Sequence, residues 1–145
     1  MNWENSRALT PLKRDFLLAF FGERRDFFLT GGSALGIFYL DHRLSYDLDL
    51  FTRASPEWLP LEKVIESVSL QIGARLRSVT KSPQFRRYEL LREAEKEVVD
   101  FVVEDLPQIF EEKTAFGPIL VDPLEEIGIN KICALLGRGE IKDVI

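Results

Sequence analysis

The stretch Phe28-Leu29-Thr30-Gly31-Gly32-Ser33, followed by Ser45-Tyr46-Asp47-Leu48-Asp49-Leu50-Phe51, decides the reading of this chain. Asp26 to Leu29 form a short apolar run that reads as a buried strand, ended by the Gly31-Gly32 turn. Ser33 can cap a helix reaching about Asp41, with Leu35, Phe38 and Tyr39 on its inner face. Asp47 to Thr52 read as a second strand. Its period of two points Asp47 and Asp49 to one face and Leu48 and Leu50 to the other. Strand, glycine turn, helix, acidic strand is the order from which the rest follows.

The aspartate pair has two readings. Two residues of rise set the carboxylates roughly 6.6 Å apart at their bases, from where they can converge on one or two cations. The other reading is the solvated face of an amphipathic strand. Aspartate is disfavoured in strands, and like charges side by side destabilise one, so the pair asks for a partner. An EF-hand is a poor rival, because no third oxygen ligand or glycine follows at the required spacing. The Gly31-Gly32-Ser33 turn likewise reads two ways. It is a tight turn with a serine cap, or a cradle whose backbone N–H groups and hydroxyl approach a phosphate. No lysine-serine or lysine-threonine pair follows, so it is not a P-loop.

Outward from this stretch, residues 8–21 carry Leu9, Leu12, Phe16, Leu17 and Phe20 at helical spacing, and Leu61 to Ile72 form another amphipathic helix. Residues 74–80 and 85–92 read as a hairpin split by Lys81-Ser82-Pro83-Gln84. Glu97 to Val103 are strand-prone, and Thr114 to Val121 form a β segment turning at Gly117-Pro118. Asp122-Pro123, with Glu125 at N3, opens a helix to Leu136 that Gly137-Arg138-Gly139 ends. The mixture predicts an α+β fold, a mixed β-sheet flanked by helices with C-terminal helices, in a single domain over residues 1–145.

Composition narrows the function classes. At 46% hydrophobic and 30% charged residues the chain is globular rather than disordered, and no apolar run is long enough for a membrane span. The N-terminus lacks a signal-peptide pattern, and the lone Cys133 forms no internal disulfide, so a cytoplasmic location is expected. A net charge of −5 argues against broad adhesion to nucleic acid. The single His42 leaves no Ser/His/Asp arrangement and no histidine cluster for zinc.

Four further residues could join the central stretch. Asp100 sits among valines on an apolar strand, where either a metal or an arginine partner such as Arg86 or Arg87 would offset its burial. Lys131 falls on the apolar side of its helix and either snorkels outward or reaches a phosphate. Arg43 is either a phosphate clamp or a surface arginine. The cluster Arg75, Arg77, Lys81, Arg86, Arg87 and Arg92 is either a solvated face or the best surface for an RNA acceptor.

Taken together these residues resemble the DNA-polymerase-β-like nucleotidyltransferase superfamily, and most closely its AbiEii/MenT-type toxin branch. Gly31-Gly32-Ser33-Ala34-Leu35 and Arg43-Leu44-Ser45-Tyr46-Asp47-Leu48-Asp49 are similar to that branch's two signature motifs. Lys131-Ile132-Cys133-Ala134-Leu135 resembles its lysine-x-x-alanine-leucine helix, and Arg138 with Lys142-Asp143 its last segment. The resemblance runs from about Phe27 to the end. It implies that Asp47 and Asp49 hold Mg²⁺ (or Mn²⁺), with Asp100 as the superfamily's third carboxylate. It also implies that Gly31, Gly32, Ser33, Arg43 and Ser45 meet the nucleotide, and that Lys131 and Asp143 complete the site. The implied activity moves an NMP from an NTP to an RNA (tRNA-like), protein or small-molecule acceptor, in a toxin with a partner antitoxin. Members of the branch continue into further C-terminal helices, whereas this chain ends two residues after Asp143, so a minimal or a truncated member is expected.

Two rivals come from other classes. One is a non-catalytic nucleotide-binding or interaction module on the same fold. The other is a DxD glycosyltransferase, which the glycine-serine turn ahead of the aspartates and the short chain disfavour.

Overall fold

The computed structural model describes residues 3–40, 47–53, 57–104 and 112–127. Among them a seven-stranded mixed sheet is the framework, flanked by helices, in agreement with the expected α+β class. The elements are α1 (Pro11–Glu23), β1 (Phe28–Thr30), α2 (Gly31–Ala34, continuing as a π-helix over Leu35–Leu40), β2 (Leu48–Thr52), α3 (Trp58–Gln71), β3 (Arg75–Ser82), β4 (Phe85–Arg92), β5 (Glu95–Val103), β6 (Thr114–Phe116) and β7 (Ile119–Val121). Residues 124–127 are again helical. The expected helix beyond residue 127 lies outside the described residues.

Strand order is β3-β4-β5-β2-β1-β7-β6. The hairpin β3–β4, its continuation into β5, and the hairpin β6–β7 are antiparallel, as the turn-bounded patterns lead one to expect. The pairings that build the centre join distant segments: β2 lies antiparallel to β1 and parallel to β5, and β1 lies parallel to β7.

The core lies on one face of this sheet. Helix α1 starts where the Thr10 hydroxyl accepts a hydrogen bond from the Lys13 N–H at 3.2 Å, with Pro11 at the first helical position. Its apolar stripe then buries Leu12, Phe16, Leu17 and Phe20 completely. Phe16, Phe20 and Phe27 surround Phe101 of β5 at ring-centroid distances of 6.4, 5.4 and 5.7 Å. Tyr88 of β4 closes the group at 6.0 Å. Leu61, Ile65 and Val68 of α3 complete the layer. Each aromatic contact adds to plain area burial.

One charged side chain departs from the helical stripe. Lys13 is 1% exposed and pairs with Glu97 at the start of β5, Nζ to Oε2 at 3.3 Å. The Thr10 hydroxyl donates to the other Glu97 oxygen at 3.2 Å. The cap of α1 and the first core residues of β5 are thus locked together by a buried ion pair.

Candidate active site

The opposite face of the sheet carries the polar residues. In the register, Thr30 of β1 stands opposite Asp49 of β2, Asp49 opposite Asp100 of β5, and Asp100 opposite Arg87 of β4. Side chains at matched positions share a face, so these four make one row across four strands. Phe28, Phe51, Val102 and Phe85 form the neighbouring row on the same face. Leu48 and Leu50 point the other way into the core, as the period-two reading of β2 requires. Asp47 is exposed and immediately precedes β2.

Gly31 joins the turn to this row. Its φ is +73°, and a Cβ placed there would stand 2.6 Å from Asp49 Oδ2. Glycine is therefore required twice, by conformation and by space. The chain passes straight from β1 into the helix at Gly31, so Ser33 sits inside the first turn and is not its cap. This corrects the expectation of a capping serine. The Ser33 side chain is 1% exposed, and its Oγ has no hydrogen-bond partner among the described residues. A buried hydroxyl left unpaired is unusual and calls for a partner. The helix then widens into a π-helix, a form concentrated at functional sites, with Ile37 and Phe38 buried and Tyr39 half-buried.

The electrostatics follow from the register. Burial, then the neighbouring Asp100, then Asp47 push the Asp49 carboxyl up to about 7, with only Arg87 opposing them. Arg87 binds Asp100 in a two-pronged pair, Nε to Oδ1 at 2.8 Å and an Nη to Oδ2 at 2.9 Å. That bond to Asp100 is also the main cause raising the Arg87 proton affinity. Of the two explanations open for Asp100, the arginine partner is present. Among the described residues no group of three or more His, Cys, Asp or Glu side chains stands arranged to hold a metal ion.

Carboxylate oxygens are hard ligands of the kind a divalent cation takes. Asp49 is crowded by two acids and held partly protonated near neutrality, the state that a bound cation relieves. Carboxylate oxygens of this kind are the ligands that Mg²⁺ and Mn²⁺ take.

Other expected residues fall elsewhere. Arg43, Ser45, Lys131 and Asp143 lie outside the described residues. On the hairpin, Arg77 pairs with Glu89, Lys81 and Arg86 with Glu62, and Arg92 with Asp15, at 2.8, 3.3, 3.4 and 2.8 Å. With Arg87 on Asp100, five of the six cations of the basic cluster already face carboxylates. Two residues near the row were not anticipated, Asp122 and Lys113. Their side chains pair at 2.6 Å, and Asp122 is fully buried. An aspartate before a proline reads in sequence as a helix cap, which hid its contact with β1.

Comparison with known proteins gives the family and the fold. A family model described as nucleotidyl transferase AbiEii toxin, type IV toxin–antitoxin system, matches residues 15–145. No match is found among curated proteins. Among solved structures, JHP933 from Helicobacter pylori is 20% identical with a TM-score of 0.63, over 85% of this chain and 54% of that one. An H. pylori protein assigned as a nucleotidyltransferase is 18% identical with a TM-score of 0.62, over 84% of this chain and 55% of that one. These likenesses show the fold. The chain spans about half the length of the solved structures it matches.

Proposed function

The chain belongs to the AbiEii nucleotidyl transferase toxin family, and from that premise we propose that it moves an NMP from an NTP to an acceptor hydroxyl with the help of Mg²⁺ or Mn²⁺. The observation that carries this reading is the row Thr30–Asp49–Asp100–Arg87 with Gly31 packed against Asp49. Asp47 and Asp49 would hold the metal, which when bound neutralises the nucleotide phosphates and orients them. The Gly31-Gly32-Ser33 turn would receive phosphate, supported by the unpartnered Ser33 hydroxyl. Asp100, fixed by Arg87, would join the metal ligands and orient the acceptor hydroxyl. The acceptor hydroxyl would pass its proton to Asp100 as its oxygen bonds to the α-phosphorus, the bond to the pyrophosphate oxygen would break, and pyrophosphate would leave in line. Arg43, Ser45, Lys131 and Asp143 complete the proposed site.

The acceptor we propose is an RNA such as a tRNA end, with a protein or small molecule as alternatives, and the setting is the cytoplasm. The partner is an antitoxin that restrains the activity. Incubating the protein with Mg²⁺ and each labelled NTP, against total RNA and total protein, tests this. Label on a defined acceptor with stoichiometric pyrophosphate supports the reading; NTP binding without pyrophosphate release contradicts it.

One observation favours a second reading. Arg87 engages both Asp100 oxygens, which would suit a module that binds nucleotide and transfers nothing. Titration with Mg²⁺ and NTP beside the transfer assay separates the two.

A further inference from the structure

Asp122 follows β7, far in sequence from the glycine turn, yet three of its groups reach the segments on either side of that turn. Its N–H donates to the Leu29 carbonyl at 2.9 Å, tying the end of β1. Its own carbonyl accepts from the Tyr39 hydroxyl at 2.8 Å, tying the far end of the helix that contains Ser33. Its carboxylate Oδ1 accepts from Lys113 Nζ at 2.6 Å; burial raises the proton affinity of this carboxyl on balance, opposed by Lys113 and the Thr30 hydroxyl. Lys113 is itself seated over the Phe28 ring, 4.0 Å from the centroid. Thr30 is the residue directly before Gly31 and directly opposite Asp49.

A fully buried aspartate whose second oxygen, Oδ2, has no hydrogen-bond partner among the described residues is costly to keep. A well-packed apolar side chain would suit a plain core position better. The backbone at 122 pins strand and helix around Gly31 and Ser33, and what the aspartate side chain adds is a link from Lys113 to Thr30, the residue before Gly31. We propose that Asp122, braced by Lys113, is a positioning residue that sets the shape of the phosphate cradle. The proposal rests on the cradle reading above and deepens it, since Asp122 touches no substrate itself.

The experiment measures the Kd of each of the four NTPs, with Mg²⁺, by calorimetry, alongside the melting temperature. Asp122→Asn keeps the backbone bonds and removes the negative charge that faces Lys113; it is expected to weaken nucleotide binding by about tenfold or more. Tyr39→Phe removes one hydroxyl and is expected to weaken binding about threefold with the fold intact. Lys13→Met serves as control, because it lowers the melting temperature from the other face and leaves Kd unchanged. If Asp122→Asn and Tyr39→Phe lower only the melting temperature, as Lys13→Met does, Asp122 is a core ion-pair residue and the proposal is overturned. Should Asp122→Asn fail to fold, Tyr39→Phe alone decides. A wild type that binds NTP but transfers nothing sinks the transferase reading and leaves this inference standing; one that binds no NTP sinks both.

Discussion

Gly31 and Asp49 are the residues whose chemistry is most tightly coupled. An alanine at 31 would need a φ of +73° and would thrust its Cβ to 2.6 Å from Asp49 Oδ2. Gly31→Ala is therefore expected to destabilise the fold by about 1–3 kcal/mol and to lower kcat/KM by roughly 100-fold, as a small misplacement of a reacting group does. Urea unfolding and initial rates check it; wild-type activity would show that the close approach is dispensable. Asp49 makes a prediction in pH. Its carboxyl is raised from 3.8 to about 7 in the folded chain, so between those values the folded state holds a proton that the unfolded state has released. This group's contribution to stability is full below about pH 4, falls as pH rises, and is gone above about pH 7. Asp49→Asn is expected to be more stable than the metal-free wild type at pH 8, by on the order of a few kcal/mol and with a higher melting temperature, and to flatten the slope from pH 4 to 7. Melting curves across that range decide, and a steeper slope in the variant would contradict the assignment.

At the scale of elements, α1 and β5 depend on a contact that no periodicity announces. Lys13 follows Leu12 in a helix whose apolar stripe is plain, and a lysine there reads as a surface residue. Its burial appears only when β5 brings Glu97 to it. Lys13→Met removes the cation and leaves Glu97 buried without it, which is expected to destabilise by about 3–5 kcal/mol, whereas the double replacement Lys13→Met with Glu97→Leu recovers most of that loss. Denaturant midpoints of the three variants measure it; equal loss in the single and the double variant would mean that the pair contributes packing alone. The same contrast runs through the other elements. Alternation in β2 and the hairpin turns of β3–β4 and β6–β7 are local, and the sequence displays them. Ser33 misled because a glycine with positive φ starts the helix two residues before any serine cap could.

Across the whole molecule, the site is a product of sheet order. Asp47 and Asp49 share a face by period alone, so their pairing is legible in the chain. Asp100 becomes their neighbour only through the parallel β2–β5 register, and Arg87 reaches Asp100 only because β4 lies on the far side of β5. The β2–β5 pairing closes a long loop that no local signal encodes, whereas Arg87 faces Asp100 across the tight β4–β5 turn, which is why an arginine partner from that strand could be expected. Asp122 is a still longer reach, from the end of β7 to the turn after β1. The same topology keeps the aromatic core on one face and Asp49 and Asp100 on the other. Substitutions in the acidic row should then spare the fold while removing chemistry. The direct measurement is NTP-dependent labelling of acceptors by the Asp47→Asn, Asp49→Asn double variant, folded as judged by its melting curve. Loss of labelling by at least about 1,000-fold with the fold retained is expected; labelling equal to wild type would contradict a transferase site built on these aspartates.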